Sequence, residues 1–156
     1  MDNNETLNII KYPDGFLRNK THAVKDFSDP KLELLIKGMV KAMEVNKGIG
    51  LAAPQVGSSL KIFICRVDNE LYALINPEIK SFSKKKEFYE EGCLSFPGKY
   101  FQIERPIKVK VKAYDLKGKK IRIKADGLLA RVIQHEIDHL DGVLIIDRVK
   151  SDKKDK

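Results

Sequence analysis

Asp126-Gly127-Leu128-Leu129-Ala130-Arg131-Val132-Ile133-Gln134-His135-Glu136-Ile137-Asp138-His139-Leu140-Asp141-Gly142 reads as one helix around which the rest of the chain is built. Asp126 is the candidate N-cap and Gly142 stands just past the end. Advancing ~100° per residue puts Leu129, Val132, Ile133, Ile137 and Leu140 on one side. Arg131, Gln134, Asp138 and Asp141 fall on the other, polar side, with Arg131 directed to solvent. His135, Glu136 and His139 lie on the apolar side. An unpaired buried polar group costs ~2–7 kcal/mol and a buried charge costs more, so three of them on one apolar face need a shared partner. A divalent cation satisfies all three. Two histidines four residues apart stand one above the other on a helix and can grip one ion. The glutamate between them is placed to handle a proton at that ion.

A catalytic metal needs three protein ligands and one open position. In zinc peptidases the third ligand often follows the second histidine, as in His-Glu-x-x-His-x-x-Gly-x-x-His. Here Gly142 fits that pattern but Ile145 stands at its last position, and only Asp147 and Asp152 remain as downstream acids. The third ligand is therefore expected upstream. His22 sits in a polar, irregular stretch. Cys93, in Glu91-Gly92-Cys93-Leu94-Ser95-Phe96-Pro97-Gly98, lies between bends that aim its thiol, and a thiolate suits iron, zinc, cobalt or nickel.

Outward from these stretches the chain reads as α+β, with antiparallel β-sheets packed around the C-terminal metal-binding helix and an additional N-terminal helix. Ser28-Asp29-Pro30 opens that first helix, and Leu32, Leu35, Ile36, Met39, Val40 and Met43 recur at helical spacing until Lys47-Gly48. Short strands are expected at Leu7–Lys11, Leu60–Val67, Glu70–Ile75 (stopped by Asn76-Pro77) and Lys84–Glu90. Ile107–Asp115 and Lys120–Lys124 alternate around Lys117-Gly118 and predict a hairpin. Gly48-Ile49-Gly50-Leu51-Ala52-Ala53-Pro54-Gln55 is rich in small residues. It is either a tight helix-to-strand connection or a place where a ligand's backbone comes close.

A chain of 156 residues, 42% of them apolar, makes one domain, 1–156, with about 148–156 as a charged, disordered tail. The two cysteines are too few for a disulfide framework, and Cys65 reads as a small core residue. Met1 to Glu5 carries no basic segment leading into an apolar one, and no apolar run approaches the ~20 residues of a membrane span. A reducing, cytoplasmic setting without membrane contact is expected. The net charge of +8 suits polyanionic surroundings, but the lysines are scattered and no aromatic-basic platform marks a specific nucleic-acid motif.

Gly48–Gln55, Glu91–Ser95 and His135–His139, in this order and spacing, resemble the three motifs of the peptide deformylases. The resemblance covers nearly the whole chain. It implies hydrolytic removal of the N-formyl group from N-formylmethionyl nascent polypeptides, with release of formate. It implies one divalent metal, natively Fe(2+), with Zn(2+), Ni(2+) or Co(2+) as substitutes, held by Cys93, His135 and His139. It also implies Glu136 as the proton-handling residue, and Gln55 with the backbone N–H of Leu94 as contacts of the formyl oxygen. Ile49 and Gly50 would pair with the peptide backbone, and Leu128 and Val132 would wall the methionine pocket. Proximity to the ribosome is compatible with this reading. The chain departs from some members in having Gly98-Lys99-Tyr100 after Pro97, where those place a substrate-contacting arginine. Arg131, one position before Val132, is a candidate for the pocket rim, although its helical angle points it to solvent. Glu91 is expected to pair with Arg105 and steady the cysteine segment.

Overall fold

The fold is that of a computed structural model, in which residues 6–150 are described. Its centre is a five-stranded antiparallel sheet in the order β1-β2-β3-β6-β7, formed by β1 (Gly50–Ala52), β2 (Ile62–Val67), β3 (Glu70–Phe82), β6 (Lys108–Tyr114) and β7 (Lys120–Asp126). A separate antiparallel ribbon consists of β4 (Lys86–Gly92) and β5 (Tyr100–Pro106). Helix α1 (Pro30–Val45) covers one face of the five-stranded sheet and α2 (Gly127–Leu140) the other, with a last turn, α3 (Ile145–Arg148), below the ribbon.

The apolar run Ile62-Phe63-Ile64-Cys65 explains this sandwich. Successive side chains of a strand point to opposite faces, so Ile62 and Ile64 meet Ile36, Met39 and Met43 of α1. Phe63, Cys65 and Val67 meet Ala130, Val132 and Ile133 of α2. Helix α1 starts where Asp29 accepts from the Lys31 amide at 2.9 Å, with Pro30 in its first turn. The outer face of β6–β7 carries lysines, as the alternation there requires.

Four expectations change. Residues 7–11 form no strand, although the Ile10 amide donates to the Gln55 carbonyl at 2.7 Å. Asn76-Pro77 does not stop β3, because the register shifts between Ile75 and Glu78 and a bulge absorbs both residues. Asn76 takes φ 52 and ties its side chain to both backbone groups of Val24, while Pro77 has no donor to lose. A strand at Tyr100–Pro106 pairs with β4 where none was expected. Finally, the polar side of α2 is not a solvent side. Arg131, Gln134 and Asp138 are buried, because the β4–β5 ribbon covers them and supplies their partners. Arg148 and Lys150 are ion-paired to Asp138 and Glu104, and the rest of the expected charged tail, 151–156, lies outside the described residues.

Candidate metal centre and active-site cleft

Cys93 leaves the end of β4 in a turn closed by the Phe96 amide on its carbonyl at 2.9 Å. That turn carries the thiol to α2, where Sγ stands 3.3 Å from Nε2 of His139. The ligand atoms of Cys93, His135 and His139 all lie within 4.8 Å of one another. A four-coordinate tetrahedral ion with bonds of ~2.0–2.3 Å gathers its ligand atoms to ~3.3–3.8 Å apart, so this triad needs little movement to fit one. Among the described residues it is the one group of three or more potential ligands that converges in this way. Cys65 belongs elsewhere: it is fully buried, and burial pushes its thiol up to about 12.

The charges around the triad favour a cation. Burial opposes a charge on His135, but Glu136, Cys93 and Glu91 together outweigh it and raise its pKa well above the imidazole range. His139 is held well below that range by burial, reinforced by His135 and Arg105. It is the neutral form that ligates metals. Nδ1 of His135 meets Glu91 Oε1 at 3.0 Å, which turns Nε2 towards the triad. Glu91 in turn is gripped by Arg105 (Nε to Oε2 2.6 Å, Nη2 to Oε1 3.1 Å) and by Arg131 (Nη1 to Oε2 2.6 Å). Burial alone would raise the Glu91 pKa, yet hydrogen bonds from His135 and Arg105 bring it down to about 2, so this buried residue stays a carboxylate. The expected Glu91–Arg105 pair is thus present, with a second arginine added.

Glu136 faces the same space. Its Oε1 is buried without a hydrogen-bond partner among the described residues, an expensive state unless something occupies the cleft. Burial raises the Glu136 carboxyl to about 7, against the pull of His135 and Arg105, so it can both take and give a proton near neutrality. Gly50 lies directly opposite. A Cβ there would sit 2.5 Å from Glu136 Oε2 and 3.0 Å from Val132 Cγ1, so only glycine lets β1 approach the carboxylate so closely. Gly48 likewise makes room for Leu94, whose Cδ1 would be 2.7 Å from a Cβ.

Gln55 is fixed from both ends of its amide. Oε1 accepts from the Ala52 N–H at 2.9 Å, and Nε2 donates to Ser95 Oγ at 3.0 Å while standing 3.6 Å from Cys93 Sγ. The amide nitrogen is thereby aimed at the metal-facing space. Ser95 Oγ donates its own hydrogen bond to the Ile10 carbonyl at 2.7 Å, which leaves the oxygen as an acceptor for Gln55. No role was read for Ser95 from the sequence, although it stands within the cysteine motif.

These groups open into a cleft of ≈ 530 Å³. Ile49, Gly50, Leu128 and Val132 all line it, together with Gln55, Leu94, His135 and Glu136. Ile49 and Leu128 are about half exposed at its rim, whereas Val132 belongs to the core as well. Tyr89 and Arg131 also line it, with the Arg131 guanidinium 5.7 Å from the Tyr89 ring centre. Tyr89 was not foreseen as part of the wall, since it lay in an expected strand; Arg131 lines the cleft, as its place beside Val132 suggested, although its helical angle gave it to solvent.

The sequence model of the family described as polypeptide deformylase matches residues 6–155. The peptide deformylase of Treponema pallidum (strain Nichols) is 46% identical over 127 residues, covering 81% of this chain and 78% of its own length. That of Natranaerobius thermophilus is 46% identical over 138 residues, 88% of each chain. Among solved structures, peptide deformylase from Thermotoga maritima superposes with a TM-score of 0.91 at 43% identity, covering 94% of this chain and 99% of its own. The enzyme from Synechococcus elongatus in complex with actinonin gives 0.90 at 43% identity, covering 93% and 79%.

Proposed function

The chain belongs to the polypeptide deformylase family, and on that premise we propose that the cleft between β1, the Cys93 turn and α2 is where it strips formyl groups from N-terminal formylmethionine, releasing formate. It is a metal-dependent hydrolase acting on formylated nascent peptides. The observation that carries the site assignment is the convergence of Cys93, His135 and His139 beside a buried glutamate with an unpartnered oxygen.

In this reading Cys93, His135 and His139 hold one divalent metal, natively Fe(2+), and zinc, nickel or cobalt suit the same donors. Such an ion supplies a Lewis acid and lowers the pKa of water bound to it. Glu136 takes a proton from the attacking water and returns it to the leaving amine nitrogen. Its pKa of about 7 supports both halves of that task. Gln55 Nε2 and the Leu94 backbone N–H steady the charge that develops on the formyl oxygen. β1 is an edge strand, so the substrate backbone can add beside Ile49 and Gly50 as a further strand. Leu128 and Val132 offer apolar surface to the methionine side chain.

The whole chain, 1–156, acts as one catalytic domain. Among the described residues no helix is long and apolar enough to cross a membrane. A thiolate ligand and a nascent-chain substrate support work in the reducing cytoplasm, and the net charge of +8 supports a place near the polyanionic ribosome. The decisive experiment is formate release from a formyl-methionyl peptide, with metal analysis on the same samples. E136A is expected to keep its metal and lose turnover, and C93A to lose both. Formate release by E136A at the parent rate would overturn the role given to Glu136.

A further inference from the structure

Arg105 stands between two buried carboxylates. It grips Glu91 with Nε and Nη2, at 2.6 and 3.1 Å, and reaches Asp138 Oδ2 with Nη1 at 3.0 Å. Glu91 is the residue that orients the His135 ring, so whatever draws Arg105 away from Glu91 loosens a metal ligand. Asp138 is the competitor, and it is kept in check from the far side. Arg148 in α3 places Nη2 2.8 Å from Asp138 Oδ1 and Nε 3.1 Å from Oδ2.

Arg148 is free for this task because its neighbour Asp147 is already taken. Asp147 pairs with Arg18 and accepts from the Leu144 amide at 2.9 Å, which caps the turn. Leu144 and Ile145 are buried beneath the ribbon, so the turn that carries Arg148 is itself seated in the fold. Arg148 is about half exposed, and water weakens a point charge there. Its contribution rests on the planar fork, which occupies both oxygens of Asp138 at once.

We propose that Arg148 is a positioning residue for the metal centre: by neutralising Asp138 it leaves Arg105 committed to Glu91, and so holds His135 in its ligating orientation. The inference rests on the ligand assignment made above and extends it past the motifs to the last described turn. Without Arg148, Asp138 competes for Arg105. When Asp138 also loses its charge, the competition disappears and Arg148 is no longer needed.

The test is metal retention. Nickel-loaded protein is challenged with an excess of a chromogenic chelator, and release is followed by colour, alongside the thermal midpoint of each metal-free variant. R148Q, which keeps part of the stem and a neutral donor, is expected to release nickel ~10-fold or more faster, within the 10–100-fold range of affinity lost when outer partners of metal ligands are removed. R148K restores a point charge without the fork and is expected to recover only part of the retention. R148Q/D138N, which removes one charge of each sign, is expected to return to within about twofold of the parent rate. A double variant that releases nickel as fast as R148Q would overturn the proposal, because a merely structural loss of the Arg148 contacts is not repaired by D138N. Parent-like release from R148Q would overturn it as well. Should R148Q not fold, R148K and D138N decide: R148K is expected to release nickel faster than the parent and D138N at the parent rate, and parent-rate release from R148K or fast release from D138N refutes the proposal. A parent protein that holds nickel no better than C93A would instead refute the ligand assignment, and this proposal with it.

Discussion

Gln55 is one side chain with three assignments. Its carbonyl oxygen secures the start of its own turn, its nitrogen is steadied by Ser95, and the same nitrogen points past the Cys93 sulfur into the cleft. Such fixation is what an oxyanion contact requires, since a donor already in place needs no reorganisation when charge develops. Q55A is therefore expected to lower kcat by ~10²–10³ with metal content unchanged, as read by formate release and metal analysis. The sequence exposed this residue only through its resemblance to a known motif; a lone glutamine in a glycine-alanine run has no chemistry of its own. The histidines and Glu136 were legible from first principles, because polar groups on an apolar helical face need a partner. Ser95 and Tyr89 were not, nor was the burial of Arg131, because these depend on partners from distant strands.

At the level of elements, α2 was legible in its limits and its metal face but not in its surroundings. Hydrophobic periodicity says which side of a helix seeks the core. It cannot say that a second, two-stranded ribbon will cover the polar side with matching charges, as β4–β5 does through Glu91 and Arg105. The same ribbon hid β5, whose sequence Tyr-Phe-Gln-Ile-Glu-Arg-Pro mixes inward and outward polar groups. β3 was cut short for a related reason: Asn-Pro is ordinarily a stop, and only its pairing with Val24 turns it into a bulge. The end of α2, by contrast, was read directly from Gly142. Its φ is +74°, and a Cβ would lie 2.3 Å from the Arg18 carbonyl oxygen. G142A is expected to destabilise the fold by more than the ~1–2 kcal/mol of the left-handed conformation alone, since a backbone atom must also move. Urea denaturation of parent and variant measures this.

For the whole molecule, the sandwich of α1, sheet and α2 was legible from the apolar run in β2 and the two amphipathic helices, while of the buried ionic layer between α2 and the ribbon only the Glu91–Arg105 pair was. That layer gives the fold a pH signature. The Glu91 carboxyl lies at about 2 in the folded chain against 4.5 for an unperturbed glutamate. A depressed folded pKa contributes stability that is fully present above ~4.5 and is lost as pH falls towards 2. E91Q is expected to be less stable at neutral pH and to show a flatter stability profile between about pH 5 and 2; chemical denaturation across that range tests it. An equal slope in parent and variant would remove Glu91 as the source.

The three proposed ligands come from two bodies that share no strand pairing, Cys93 at the end of the ribbon and the histidines on the helix. An ion held by all three is therefore a cross-link as well as a reagent. By mass action it stabilises the folded chain according to its free concentration, by about 2.7 kcal/mol at a hundred times its dissociation constant. The supply of metal in the cell then governs how much of this protein persists, and not only how fast each copy turns over.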